Sequence, residues 1–144
     1  MVKEKMKLKI LAAISSDLAK HIDAIFSELS EQKSREYSID KVIEIYLSVE
    51  DKDADLVKSV RSSEEVVKVK REISFIFYLL KCPFYTVYSI NEYMTKEDMR
   101  QILTALNINK WQFKNYIQSA KHHYRFYKEF RIIIDRNIEY NQKA

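Results

Sequence analysis

Several side chains in the sequence are of types that bind metal ions, so their spacing shows whether a metal site is possible. Asp51, Asp53 and Asp55 alternate as in the first half of a calcium-binding EF-hand loop. That loop needs a glycine at its sixth position and a glutamate at its twelfth, where Leu56 and Ser62 stand instead. The segment is therefore expected to be a solvated acidic turn rather than a calcium site.

The histidines and the cysteine offer no better arrangement. His122 and His123 are adjacent, so they point in different directions on a helix, and Cys82 cannot complete a zinc site with them. The sequence has no glycine, which excludes a Rossmann fingerprint and a Walker loop because both need backbone close to phosphate. These observations predict a protein that is not an enzyme and has no metal or cofactor.

The basic residues of the C-terminal third suggest a different chemistry. Residues 96–144 carry 10 Lys and Arg against 5 Asp and Glu, whereas residues 1–95 carry 15 against 16. If a helix runs from residue 109 past residue 120, five basic side chains fall within about 60° of arc. A phosphate backbone would match such a stripe, and a solvated basic face is the alternative. The five residues are Lys110, Lys114, Lys121, Arg125 and Lys128.

Residues 106–117 (LNINKWQFKNYI) have the pattern of a tight turn between two packed helices. Asn107 stands where the backbone would become left-handed, and Asn tolerates positive φ better than most other residues. Asn109 can then accept a backbone N–H at the start of the second helix. The residues predicted to be buried together behind the turn are Leu106, Ile108, Phe113, Tyr116 and Ile117.

This pattern resembles the helix-turn-helix superfamily of DNA-binding proteins over residues 95–120, and the winged-helix members of it if residues up to 140 are included. The resemblance implies that the second helix enters the major groove and that the protein acts as a dimer. Asn and Gln could then pair with adenine, and Lys with guanine or phosphate. Trp111 departs from the family pattern, since it falls at a position that should face DNA. The residues implied to contact double-stranded DNA are Asn109, Lys110, Gln112, Lys114, Asn115, Gln118, Lys121, Arg125 and Lys128.

The elements that would position this corner are predicted to be helices. Apolar residues recur every three or four positions over residues 3–32, which predicts one long amphipathic helix. Later helices are predicted from the same spacing and from polar caps at Ser38, at Ser62 with Glu65, and at Thr95. They cover Ile39–Val49, a short segment near 54–60, residues 63–81, residues 96–105, and the residues after 109.

Two segments are predicted to depart from this helical pattern. Residues 84–90 (FYTVYSI) are rich in aromatic and β-branched residues and are predicted to form a short strand. Residues 130–140 are predicted to form a hairpin with its tip at residues 135–137, which would complete a winged helix. The alternative is that these residues extend the last helix.

The expected protein is thus mainly α. A helical region, 1–62, would serve dimerisation or partner binding. A helix-turn-helix region, 63–144, which in one alternative is a winged helix, would form one compact unit with it. The single cysteine and the lack of a long apolar run predict a cytoplasmic protein without a membrane.

Two functions stay open. One is a transcriptional regulator that binds double-stranded DNA as a homodimer. The other is a helical adaptor or inhibitor subunit of a replication or transcription complex, which binds a protein partner through the same face. The tail from Met94 is also similar to the collar domain of clamp-loader subunits, where a comparable corner serves packing.

Overall fold

The computed structural model of the protein describes residues 6, 16, 18–28, 37–89 and 91–144. The chain divides into two compact units, Met1–Arg35 and Glu36–Ala144. In the first unit residues 18–28 are helical and expose Leu18, Ile22 and Phe26. They confirm part of the helix predicted over residues 3–32, most of the rest of which lies outside the described residues.

The second unit is mainly helical in its described part, where no strand occurs. The predicted mainly α class is therefore confirmed. Its helices are α1 (Ile39–Val49), α2 (Asp55–Lys58), α3 (Glu64–Lys81), α4 (Pro83–Tyr88), α5 (Lys96–Leu106), α6 (Lys110–Phe126) and α7 (Lys128–Lys143).

Three of these helices begin at hydroxyl caps, which satisfy N–H groups that have no partner inside the helix. Ser38 and Thr95 each accept the backbone N–H three residues later at 3.1 Å, as predicted. The cap of α3 is Ser63, whose Oγ accepts a backbone N–H at 3.3 Å. The predicted cap at Ser62 is therefore wrong by one residue.

Helix α3 lies at the centre of the second unit and packs against α1, α2, α4, α6 and α7. Residues 72–80 are buried on every side of this helix, as expected for a helix enclosed by others. Helix α5 packs instead against α1, α2 and α6. The corner between α5 and α6 is thus held by α3 on one side and by α1 and α2 on the other.

Residues 84–90 were predicted to form a strand, and this prediction is wrong. Residues 83–88 form α4, which begins at Pro83, a residue whose fixed φ and missing N–H suit the first turn of a helix. The helix ends at Ser89, which is left-handed with φ 56° and donates its N–H to the carbonyl of Tyr85 at 2.8 Å. Local helical hydrogen bonds replace the pairing that a strand would have needed.

The hairpin predicted at residues 130–140 is also wrong, because these residues belong to α7. Its supposed tip residue, Asn137, is fully buried and donates to a carboxylate oxygen of Glu50 at 2.9 Å. Arg136 forms an ion pair with the same carboxylate at 2.6 Å. Tyr127 has extended backbone angles between α6 and α7, so the tail forms a separate helix rather than a continuation of α6.

Candidate nucleic-acid interface

The turn between α5 and α6 has the local geometry that the sequence predicts. Asn107 is left-handed, with φ 52° and ψ 54°, and its backbone N–H donates to carbonyls in the last turn of α5. Its side-chain Nδ2 lies 3.4 Å from the carbonyl oxygen of Lys58, at the end of α2. The chain therefore leaves α5 through a residue that tolerates positive φ and that also contacts a neighbouring helix.

Helix α6 starts at a reciprocal cap. The Asn109 side chain accepts the backbone N–H of Gln112 at 2.8 Å, and the Gln112 side chain accepts that of Asn109 at 2.9 Å. This capping box satisfies two N–H groups at the helix start. The amide oxygen of each side chain thereby accepts one hydrogen bond within the cap, while each NH₂ group has no hydrogen-bond acceptor among the described residues.

Apolar residues hold the turn and α6 against the core. Leu106, Ile108, Phe113 and Ile117 are all buried, which confirms their predicted positions. Tyr116 is only partly buried but packs against this core, so the prediction is confirmed in part for that residue. Because the apolar side of α6 is occupied in this way, its opposite side must face solvent.

That solvent-facing side is here called the outer face of α6. At about 100° per residue, Trp111 and Gln118 lie at its centre, the basic residues along one edge and Asn115 along the other. Trp111 is 71% exposed. The whole helix contains no Asp or Glu. The outer face consists of Lys110, Trp111, Lys114, Asn115, Gln118, His122 and Arg125, all exposed.

Two of the predicted basic contacts differ from the rest. Lys128 is exposed but belongs to α7, because α6 ends at Phe126, so the predicted continuous stripe stops at Arg125. Lys121 is partly buried, with its Nζ 4.4 Å from the ring centre of Tyr85. Burial lowers the pKa of Lys121 below its ordinary value, since a charged ammonium is costly to desolvate.

A groove runs beside the basic edge of α6. It has a volume of about 460 Å³ and is bounded on its other side by residues 91–94. Tyr93 on that side is 86% exposed, and Glu92 contributes a carboxylate that accepts the backbone N–H of Phe84 at 3.0 Å. Four of the predicted contact residues line this groove, namely Lys110, Lys114, Gln118 and Lys121.

Two residues beside α6 did not emerge from the sequence pattern. Tyr93 and Arg131 are exposed and lie next to the basic edge and the end of α6, respectively. Their positions depend on how residues 91–94 and α7 pack against α6. No spacing within one helix could have signalled them.

Other kinds of site find no support in the described part of the chain. None of the helices described there is both long and apolar enough to cross a membrane. Within the same residues, no three His, Cys, Asp or Glu side chains cluster so as to hold a metal ion. Comparison of the chain with protein-family models, with curated proteins and with solved structures gives no match.

Proposed function

We propose that this protein binds double-stranded DNA through α6, as a transcriptional regulator of the helix-turn-helix type. The observation that carries the proposal is the outer face of α6, which combines exposed Lys, Asn and Gln side chains with a complete absence of carboxylates. In this proposal α6 lies in the major groove, and α5 with the turn at Asn107 holds it there.

The electrostatics of the helix start support phosphate contact. Backbone N–H groups give the start of a helix a partial positive charge, which in most helices is complemented by acidic side chains in the first turn. The first turn of α6 has no acidic residue and instead carries Lys110. Positive charge is therefore concentrated at this end of α6, where a phosphate group would be stabilised.

The predicted contacts divide into two kinds under this proposal. Lys110, Lys114 and Arg125 lie along the basic edge and would contact phosphates, which gives affinity without sequence preference. Asn115 and Gln118 are exposed amides without a side-chain hydrogen bond to any described residue, and they would read base edges. Asn109 and Gln112 would contribute through the cap that orders the first turn.

The test is duplex binding by fluorescence anisotropy over a salt series, with the double variant Lys110→Gln/Lys114→Gln. The variant should bind every duplex more weakly, and the log–log salt slope should become shallower by about 0.9 for each lost phosphate contact. The matched control is Lys41→Gln/Lys143→Gln, which removes two exposed charges from α1 and α7. An equal loss in both double variants would show that only net charge matters.

Base readout has a separate signature. After selection of a preferred duplex, Asn115→Ala should lower affinity for it by about 1–3 kcal/mol and leave random DNA unaffected. Binding that depends on Lys110 and Lys114 but ignores Asn115 and Gln118 would indicate a protein without sequence preference. Absence of duplex binding even at low salt would contradict the proposal.

The N-terminal unit supports a dimer within the same proposal. Leu18, Ile22 and Phe26 recur every four residues along one side of its helix and are exposed. An apolar stripe of this kind is typical of a helix that pairs with another. Light scattering over a concentration series measures the mass of the protein in solution, and a monomer at every concentration would contradict the proposed dimer.

A second candidate function is favoured by Trp111. A tryptophan exposed at the centre of a helix face is typical of an interface residue that carries much of the binding energy. In a helical adaptor, the outer face of α6 would contact another protein. Trp111→Ala should then abolish capture of that partner from the host cell, and duplex binding by the wild type should be absent at low salt.

A further inference from the structure

A cavity of about 750 Å³ lies at the other end of α6, between this helix, α4 and the start of α7. Its volume falls in the range of about 300–1,000 Å³ that is usual for small-molecule sites. Arg125 and Arg131 line it, together with Lys121 and His122, and none of the described residues that line it is acidic. Aromatic walls complete it, supplied by Phe75, Tyr85, Tyr124 and Phe126.

Arg131 is held in position by the end of α6. Its Nε donates to the carbonyl of Tyr124 at 3.1 Å and its Nη2 to that of Arg125 at 3.3 Å. These bonds offset the negative end of the helix dipole, which would otherwise repel an anion from this cavity. Nη1 has no acceptor among the described residues, so the guanidinium is fixed and still able to donate.

Lys121 adds a second cation without a carboxylate partner in the described chain. Its Nζ lies over the rings of Tyr85 and Tyr78, at 4.4 Å and 5.4 Å from their centres. Desolvation lowers its pKa, which means that the charged form would gain from a nearby anion. Tyr124, which also lines the cavity, donates its hydroxyl to the carboxylate of Asp135 on α7 at 2.7 Å.

A cluster of flat groups lines the cavity, and the rings of His122 and Phe126 in it are tilted by 48° to each other. The Phe126 ring lies 4.8 Å from the ring of His122 and 5.4 Å from the guanidinium of Arg125. Phe126 is nevertheless 61% exposed, so much of its surface has no cover within the described structure. Aromatic and guanidinium groups arranged in this way stack on nucleobases.

We propose that this cavity binds a nucleotide, with the base against Phe126 and the phosphate between Arg125, Arg131 and Lys121. The nucleotide is either a free mononucleotide or one residue of a single strand, because both present the same base and phosphate. This site lies at the end of α6 opposite Lys110. It shares Arg125 with the proposed duplex interface, whereas its base contact at Phe126 does not depend on duplex binding.

The experiment is isothermal titration calorimetry of the full chain with ATP, with inorganic phosphate, and with a single-stranded hexathymidylate. Binding of ATP alone would identify a free nucleotide, and stronger binding of the hexamer would identify a strand. Phosphate that binds as tightly as both would overturn the proposal, since the base would then contribute nothing. No heat with any of the three at millimolar concentration would also overturn it.

Two exposed residues serve as variants that should still fold. Phe126→Ala should weaken nucleotide binding by about tenfold through loss of stacking, and Arg125→Gln by about tenfold through loss of a charged contact. The control is Lys110→Gln/Lys114→Gln, which should weaken duplex binding and leave ATP binding unchanged. Phe126→Ala with unaltered ATP affinity would overturn the proposal even if duplex binding is confirmed.

Discussion

Replacement of Asn107 tests the corner between α5 and α6 at the residue whose backbone makes it. Left-handed angles cost most L-residues about 1–2 kcal/mol, and glycine avoids this cost. The Asn107 side chain contributes one long hydrogen bond, 3.4 Å to the carbonyl of Lys58, so its loss should cost little. We therefore expect Asn107→Gly to leave the free energy of unfolding unchanged or to raise it by up to about 1 kcal/mol.

Asn107→Val should have the opposite effect. A β-branched side chain crowds the left-handed backbone more than Asn does, and it also loses the bond to Lys58. The expected loss is about 2 kcal/mol, the sum of the left-handed cost and a weak hydrogen bond. Urea unfolding followed by circular dichroism measures both variants against the wild type.

Asn115→Gly makes the same chemical change as Asn107→Gly and provides the matched control. Asn115 lies within α6 at an exposed position, where the backbone is ordinary helix. Glycine there should lower stability by about 0.3 kcal/mol, because its helix propensity is lower than that of Asn by roughly this amount. One Asn→Gly replacement should thus be neutral or stabilising at position 107 and destabilising at position 115. Equal effects at the two positions, or a well tolerated Asn107→Val, would refute the left-handed turn.

Two further predictions concern the core. Phe113→Ala should lower stability by about 3–5 kcal/mol, since Phe113 is only 4% exposed, whereas Trp111→Ala should cost under about 1 kcal/mol. Burial raises the pKa of Glu72, whose Oε2 accepts the Tyr46 hydroxyl, so the folded protein keeps a proton that the unfolded chain releases. The contribution of Glu72 to the free energy of unfolding should therefore be greatest below the ordinary Glu pKa and be lost as pH rises through the pKa of Glu72 in the folded protein. Glu72→Gln should remove this contribution to the pH dependence. Urea midpoints from about pH 4 to pH 8 measure it, and a difference between variant and wild type that does not change with pH would contradict the raised pKa.

Local signals in the sequence were enough to predict the helix boundaries near the corner. The caps at Ser38, Thr95 and Asn109 each involve a side chain and a backbone group three residues apart. The left-handed angle at Asn107 also depends on that residue and its neighbours. Interactions of such short range are encoded in a few consecutive residues, and they do not require knowledge of the rest of the fold.

The two segments whose secondary structure was wrongly predicted are those where local preference was weak. The FYTVY segment has strand-forming residues, yet a strand needs a partner strand to pair its N–H groups, and the described chain offers none. At residues 130–140, Phe130, Ile134, Asn137 and Asn141 are buried at helical spacing against the rest of the unit. The ion pair between Arg136 and Glu50 joins residues 86 positions apart, so no local pattern could reveal it.

Some residues of the candidate sites could be placed from the sequence, and others only from the packing of the helices. The basic edge of α6 follows from the spacing of Lys110, Lys114 and Arg125 on a single helix, and the sequence alone determined it. The position of Lys121 over the ring of Tyr85 and the approach of Arg131 to the end of α6 depend on α4 and α7. Only the tertiary structure decided these two positions, because the packing of one helix on another depends on many weak contacts between residues distant in sequence.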